Sequence, residues 1–303
     1  MSELLLLFAN NLLPILLVAL GGVVLGKYLG VSPDGLSKTA FYVLAPALLF
    51  SLITNSEIEW SEALQMVWVV LLLMVILGTI TSAATRLLGL ERNLRLAVLL
   101  GVLFMNAGNL GLSLTRFAFG ETALAFASIF FAIQVGLVNT VGVFIASSGT
   151  RTIRQALVSL LKLPGLYALG LALLVRITNY TLPTPLDRSV ELLAQAAIPV
   201  MILVMGLQLA RIRWNGFSRP LVLATGLRLL VSPLIGVGIA ILLGLTGTPR
   251  QAAILEAATP TAVIAIILGT EFDLEPLFIT SVVLATTLLS PLTLTPILAL
   301  LGA

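Results

Sequence analysis

The chain has 303 residues, of which 59% are hydrophobic and 10% charged, with a formal net charge of +3. Soluble domains carry about 25% charged residues, so this composition describes a membrane protein and leaves no room for a separate soluble domain. Cysteine and histidine are both absent, which excludes disulfides, thiolate chemistry, Cys/His metal centres and a Ser-His pair; charges this few and scattered point to no nucleic-acid partner.

Apolar runs of about 20 residues predict ten membrane helices, over 10–29, 36–54, 64–88, 93–118, 121–146, 163–181, 188–211, 218–244, 249–270 and 274–301. The segment before the first lacks a basic leader region, so no cleavable signal is expected. The connections are short and made of turn residues: Ser32-Pro33-Asp34-Gly35, Ser147-Ser148-Gly149-Thr150 and Thr246-Gly247-Thr248-Pro249. In the first span Gly21, Gly22 and Gly26 form the stripe of a close helix contact, inside the chain or across a homodimer.

The fourth span is apolar enough to cross a bilayer, yet its middle reads Asn106-Ala107-Gly108-Asn109-Leu110-Gly111. Two carboxamides and two glycines there are poor material for a continuous lipid-facing helix. A break at membrane depth is tolerated only where the freed backbone faces protein or a water-filled cavity. A second half-helix starting near Asn109 would aim free N–H groups and its positive end at an anion near the midplane. The competing reading is close packing at the small residues with the amides as interhelical glue. The ninth span repeats the interruption at Thr259-Pro260-Thr261. Paired breaks in the two halves of a chain are the best sequence pointer to a transporter's binding site. Asn106, Ala107, Gly108, Asn109, Gly111, Thr259, Pro260 and Thr261 are therefore candidate substrate contacts, with Gln134 and Asn139 of the fifth span as further lining. Gln195 and Gln208 in the seventh read as packing or interface residues.

Glu256 stands roughly 10 Å into the ninth span, one turn before Pro260, where a charged carboxylate costs at least a few kcal/mol. It is the candidate ion-coupling residue, exchanging a proton or holding sodium with help from unwound carbonyls. Arg228, mid-span in the eighth helix, is the candidate counter-charge. The pair could equally be a structural ion pair.

Lys27, Lys38, Arg86, Arg92, Arg95, Arg151, Arg154, Lys162, Arg211, Arg213 and Arg219 fall at alternate connections, and Arg116, Arg176, Arg188 and Arg250 at the others. Eleven against four puts the first set in the cytoplasm and both termini outside. Leu87-Leu88-Gly89-Leu90 recurs as Leu242-Leu243-Gly244-Leu245, an offset of 155 that also pairs Arg95 with Arg250, Ala97 with Ala252 and Asn106 with Thr261. An odd number of spans per copy makes these inverted repeats, residues 1–150 and 151–303, five helices each.

Phe41-Tyr42-Val43-Leu44-Ala45-Pro46-Ala47-Leu48-Leu49-Phe50, the Asn106–Gly111 run with Gly120-Glu121 after it, Glu256-Ala257-Ala258-Thr259-Pro260-Thr261, Gly269-Thr270-Glu271-Phe272 and Leu289-Ser290-Pro291-Leu292 together resemble the auxin efflux carrier family. That family includes plant PIN-type carriers and bacterial malate and malonate permease homologues. The resemblance implies ten helices in two inverted repeats, helices four and nine crossing at their breaks, and a substrate carboxylate near the crossing. The chain departs from the plant carriers in lacking a long loop between spans five and six. It also has Glu256 where they resemble a neutral amide, a feature similar to the sodium-binding carboxylate of bile-acid sodium symporters. The expectation is a secondary transporter of a small organic anion, such as a dicarboxylate or auxin-like acid, in the cytoplasmic membrane. It needs no cofactor beyond sodium or a proton and is not an enzyme. The alternatives are a sodium-coupled symporter, a channel or receptor, and an intramembrane enzyme, the last weakened because no aspartate lies deep in a span.

Overall fold

The computed structural model describes residues 2–56, 58–147, 161–211 and 216–303. Ser148, Gly149, Thr150, Arg151, Arg154, Arg213, Glu57 and the expected repeat boundary at 150/151 lie outside them. Among the described residues the fold is all helix, without a β-strand. The helices are α1 (Glu3–Tyr28), α2 (Pro33–Asn55), α3 (Trp60–Leu87), α4 (Arg92–Leu103), α5 (Ala107–Ala146), α6 (Pro164–Thr178), α7 (Thr184–Leu209), α8 (Arg219–Leu242), α9 (Gly247–Ala258), α10 (Ile264–Glu271) and α11 (Pro276–Leu301). Seven of these are long and apolar enough to cross a membrane. At 12 residues each, α4 and α9 extend only ~18 Å, short of the ~30 Å hydrocarbon core. The 40 residues of α5 turn back at Gly120, whose φ of 79° and ψ of −168° belong to a region open to glycine.

Proline explains much of the local geometry. Segments 8–12, 40–44 and 227–231 are π-helical, and Pro14, Pro46 and Pro233 follow each by two residues. Without an N–H, proline cannot serve the carbonyl four residues back. The wider turn shifts the pairing by one residue, as in Leu13 N–H to Phe8 O. Thr81, Thr85, Thr280, Thr286 and Thr295 return their hydroxyls to the carbonyl four residues earlier, so these polar groups lie on apolar helices at no hydrogen-bond deficit.

The helices sort into two packed groups. α1 lies along α7, and α2 lies along α6 and α7. α3, α4, α5, α8, α9 and α11 form the second group, with α10 against α11. The glycine stripe of α1 is used inside the chain: a side chain at Gly22 would strike the Leu203 carbonyl and Gly206, and one at Gly206 would strike the Ala19 carbonyl. Bare backbone at these positions is what lets the two helices touch. The groups meet where α7 crosses the start of α5 and where α2 lies against it, and the interrupted helices face that seam.

Candidate functional site

Both interruptions are breaks, and they abut. Between α4 and α5 the backbone is extended at Phe104, and between α9 and α10 at Thr259. The two extended pieces pair antiparallel, with Met105 opposite Thr261. Asn106 N–H donates to Pro260 O at 2.7 Å and Ala262 N–H to Phe104 O at 2.8 Å. Each break therefore supplies the backbone partner that the other lost.

The ends of the half-helices leave more to satisfy, since the last four carbonyls of a helix have no partner within it. At α4 each is met from another element. Gly101 O accepts from Thr261 Oγ1 (2.6 Å) and Val102 O from Arg228 Nη1 (2.9 Å). Leu103 O accepts from Gln134 Nε2 (3.4 Å) and Phe104 O from Ala262 N–H. At α9, Glu256 O accepts from Thr259 Oγ1, and Ala257 O from Ser232 Oγ and Arg228 Nη2. A buried carbonyl left bare costs ~1–3 kcal/mol, so these donors decide whether the breaks persist.

Arg228, fully buried, is thus not the partner of Glu256. Its fork spans the C-terminal ends of α4 and α9, where two helix dipoles place negative charge, and its second Nη bond goes to Ser232 Oγ at 2.6 Å. The expected counter-charge pair is replaced by this double cap, because i, i+4 spacing puts Ser232 beside Arg228 and the carbonyls converge on both. Glu256 is fully buried too but faces the other way, toward α5. Thr115 Oγ1 lies 3.5 Å from its Oε1, while Oε2 has no hydrogen-bond partner. A Cβ on Gly111 would overlap this carboxyl group.

The substrate candidates divide. Asn106 is buried at the tip of the break, directly before α5, and its Nδ2 donates to the Met205 thioether of α7 at 3.5 Å, a weak bond for an amide. Ala107, Gly108, Asn109 and Gly111 form the first, π-helical turn of α5, so this half-helix starts two residues earlier than expected. Gly108 is tight against the Phe131 ring. Thr259, Pro260 and Thr261 are all within the paired break. Gln134 reaches the crossing, where its Nε2 caps α4 and its Oε1 is buried without a partner among the described residues; Asn139 returns its amide to Val135 O of its own helix. Gln195 bonds Glu191 on an exposed face.

Four residues at the crossing escaped the sequence reading. Met205, Thr115, Ser232 and Thr286, whose hydroxyl accepts from Thr261 N–H at 3.1 Å, look like ordinary membrane-helix residues. The pairing of i, i+4 positions around Arg228 was the one available signal, and it pointed to Ser232. A polar cavity of about 540 Å³ opens at one end of the molecule, lined by Ser51, Asn55, Glu62, Glu121, Phe126 and Thr248 among others.

A set of apolar helices enclosing two broken ones is the architecture of a multi-pass membrane protein, and sequence comparison agrees. The model of the family described as Membrane transport protein matches the chain twice, over residues 7–155 and 148–298. The chain belongs to that family, the auxin-efflux-carrier-like group its motifs resemble. It is similar to an uncharacterized transporter of Methanothermobacter thermautotrophicus, 27% identical over 291 residues that cover 93% of this chain and 94% of the other.

Proposed function

We propose that the protein is a secondary transporter of a small organic anion, a carboxylate such as a dicarboxylate or auxin-like acid, in the cell membrane. The observation that carries this is the tip of the first break. Asn106 holds a buried amide whose Nδ2 bonds a thioether, directly before the positive end of α5. A carboxylate offers that amide and the first-turn N–H groups a far better acceptor. Met205 lies on the other helix group, so the anion would bind in the seam and be carried as one group moves against the other.

The proposed architecture is ten spans in two inverted five-helix repeats, 1–150 and 151–303. In it α4 with 107–119 makes the fourth span and α9 with α10 the ninth. Three observations support it: the double family match, the local two-fold of the paired breaks, and the grouping of alternate connections at one end. Arg176 reaches Ile58 O and stacks 5.8 Å from the Trp60 ring, Glu62, Glu121 and Thr248 line one cavity, and Gln251 bonds Leu301 O. By the charge bias of the loops that end faces outward, with both termini. Glu256 is the coupling residue in this reading; the sodium-symporter reading rests on the same carboxyl group. No homodimer contact is needed for the glycine stripe of α1.

The test is uptake by proteoliposomes of a panel of labelled mono- and dicarboxylates, each with and without sodium and pH gradients. A carrier gives saturable flux accelerated by substrate on the far side. Unsaturable flux would favour a channel, and chemical conversion of the panel an enzyme.

A further inference from the structure

We infer that Glu256 is a proton-binding site, and that the ion bound there is H⁺ rather than Na⁺. This rests on the transporter reading and names its coupling ion. The first ground is the set of oxygens. Hard cations take about six oxygen ligands, and sodium makes the same kind of demand on a site. Three carbonyls at the unwound end of α9 are already taken: Glu256 O by Thr259, Ala257 O by Ser232 and Arg228, and Pro260 O by Asn106. A guanidinium on the neighbouring carbonyl also opposes a second cation. The hydrogen-bond partner that the fold brings to the Glu256 carboxyl group is the Thr115 hydroxyl, and Oε2 has none among the described residues. The opposite wall is the backbone of Gly111, in contact with the carboxyl group. A proton needs no further ligand in such a place, whereas a metal ion would need several beyond these contacts.

The second ground is charge. The helices packed on α9 are α3, α5, α8 and α11. Their titratable or charged groups are Glu62 and Arg86, Arg116 and Glu121, and Arg219 and Arg228; α11 has none, and α9 itself adds Arg250. Arg116 and Glu121 pair with each other at 2.8 Å. Arg228 is the one other buried charged side chain among the described residues, and it is spent on carbonyls. An ionised Glu256 would stand alone at membrane depth, where an unpaired charge is costly. One O–H bond on Oε2 removes the charge with no other participant.

The position of this carboxyl group also sets the direction of coupling. It lies on the π-helical turn whose N-terminal end is proposed to receive the substrate anion, so two negative charges would compete for one helix end. Neutral Glu256 admits the anion; the ionised form repels it. Anion and proton then bind together, and each raises the affinity of the other by the same factor. On this reading the proton would enter from the side of the 540 Å³ cavity, whose Thr248 lies two turns before Glu256 on α9, ~12 Å along the axis.

Infrared difference spectra of the purified protein through pH steps, in sodium and in potassium buffer, read the carboxyl group without any substrate. The inference expects a protonated-acid carbonyl band that fades as pH rises, is the same in both buffers, is lost in Glu256→Gln and shifts in Thr115→Val. Glu256→Asp, which keeps a titrating acid on a shorter stem, should retain a displaced band and covers the case of a misfolded Gln variant. A band absent from wild type, one unchanged at every pH, or one converted to carboxylate by sodium would overturn it. Because no substrate is present, failure of the carboxylate panel leaves this result standing and sinks only the transporter reading.

Discussion

At the residue scale, the crossing depends on a few side chains that supply donors to the carbonyls freed at the two breaks. Arg228 is the largest of them. Arg228→Leu strips Val102 O of its donor and leaves Ala257 O to Ser232 alone, so it should lower the detergent melting temperature, at ~1–3 kcal/mol for an orphaned carbonyl. Arg228→Lys should lose less, since an ammonium reaches one carbonyl but cannot fork. Equal losses in the two would mean that the fork, not the charge, is what counts. Gly111 is the second. Gly111→Ala places a methyl group into the Glu256 carboxyl group and should destabilise by ~1–3 kcal/mol. The double variant Gly111→Ala/Glu256→Ala should recover part of that loss, because the obstructing group is gone. Strict additivity of the two single effects would show that they do not touch.

At the element scale, the sequence disclosed the breaks but not their chemistry. The Asn106–Gly111 run and Thr259-Pro260-Thr261 are conspicuous because amides, glycine and proline are rare in apolar spans, and both lie at real interruptions. Which donors satisfy the freed carbonyls was illegible, since Thr261, Gln134 and Arg228 reach them from 160, 31 and 126 residues away. The pairing of Arg228 with Glu256 failed for the same reason. Two charges on adjacent spans look like partners until the backbone carbonyls between them are counted. The glycine stripe of α1 was legible as a close contact, but its partner, Gly206 of α7, is a single glycine with no pattern around it. Gly206→Ala drives a methyl group into the Ala19 carbonyl and should lower stability by ~1–3 kcal/mol. Gly170→Ala on α6 meets open space and should be neutral or raise it by up to ~1 kcal/mol. Equal effects at both sites would contradict the α1–α7 contact.

At the scale of the whole molecule, composition and run length were enough for the class, because a chain this apolar can be solvated only by lipid. The proposed count of spans is harder to see in the helices themselves, since α4, α9 and α10 are each too short to cross and would serve as spans only when joined across their breaks. Topology is checked by single cysteines at Ser2 and Ala303. Both should react with an impermeant reagent in intact cells, and labelling of either only after permeabilisation would contradict the ten-span arrangement. The proposed anion site lies where the two breaks pair. Its most direct measurement is counterflow of the labelled carboxylates in proteoliposomes with wild type and Asn106→Ala side by side. Saturable, trans-accelerated flux of at least one carboxylate is expected in wild type, reduced tenfold or more (≥ ~1.4 kcal/mol) in the variant, whose melting temperature stays close to wild type. Equal rate and affinity in the two proteins would contradict it.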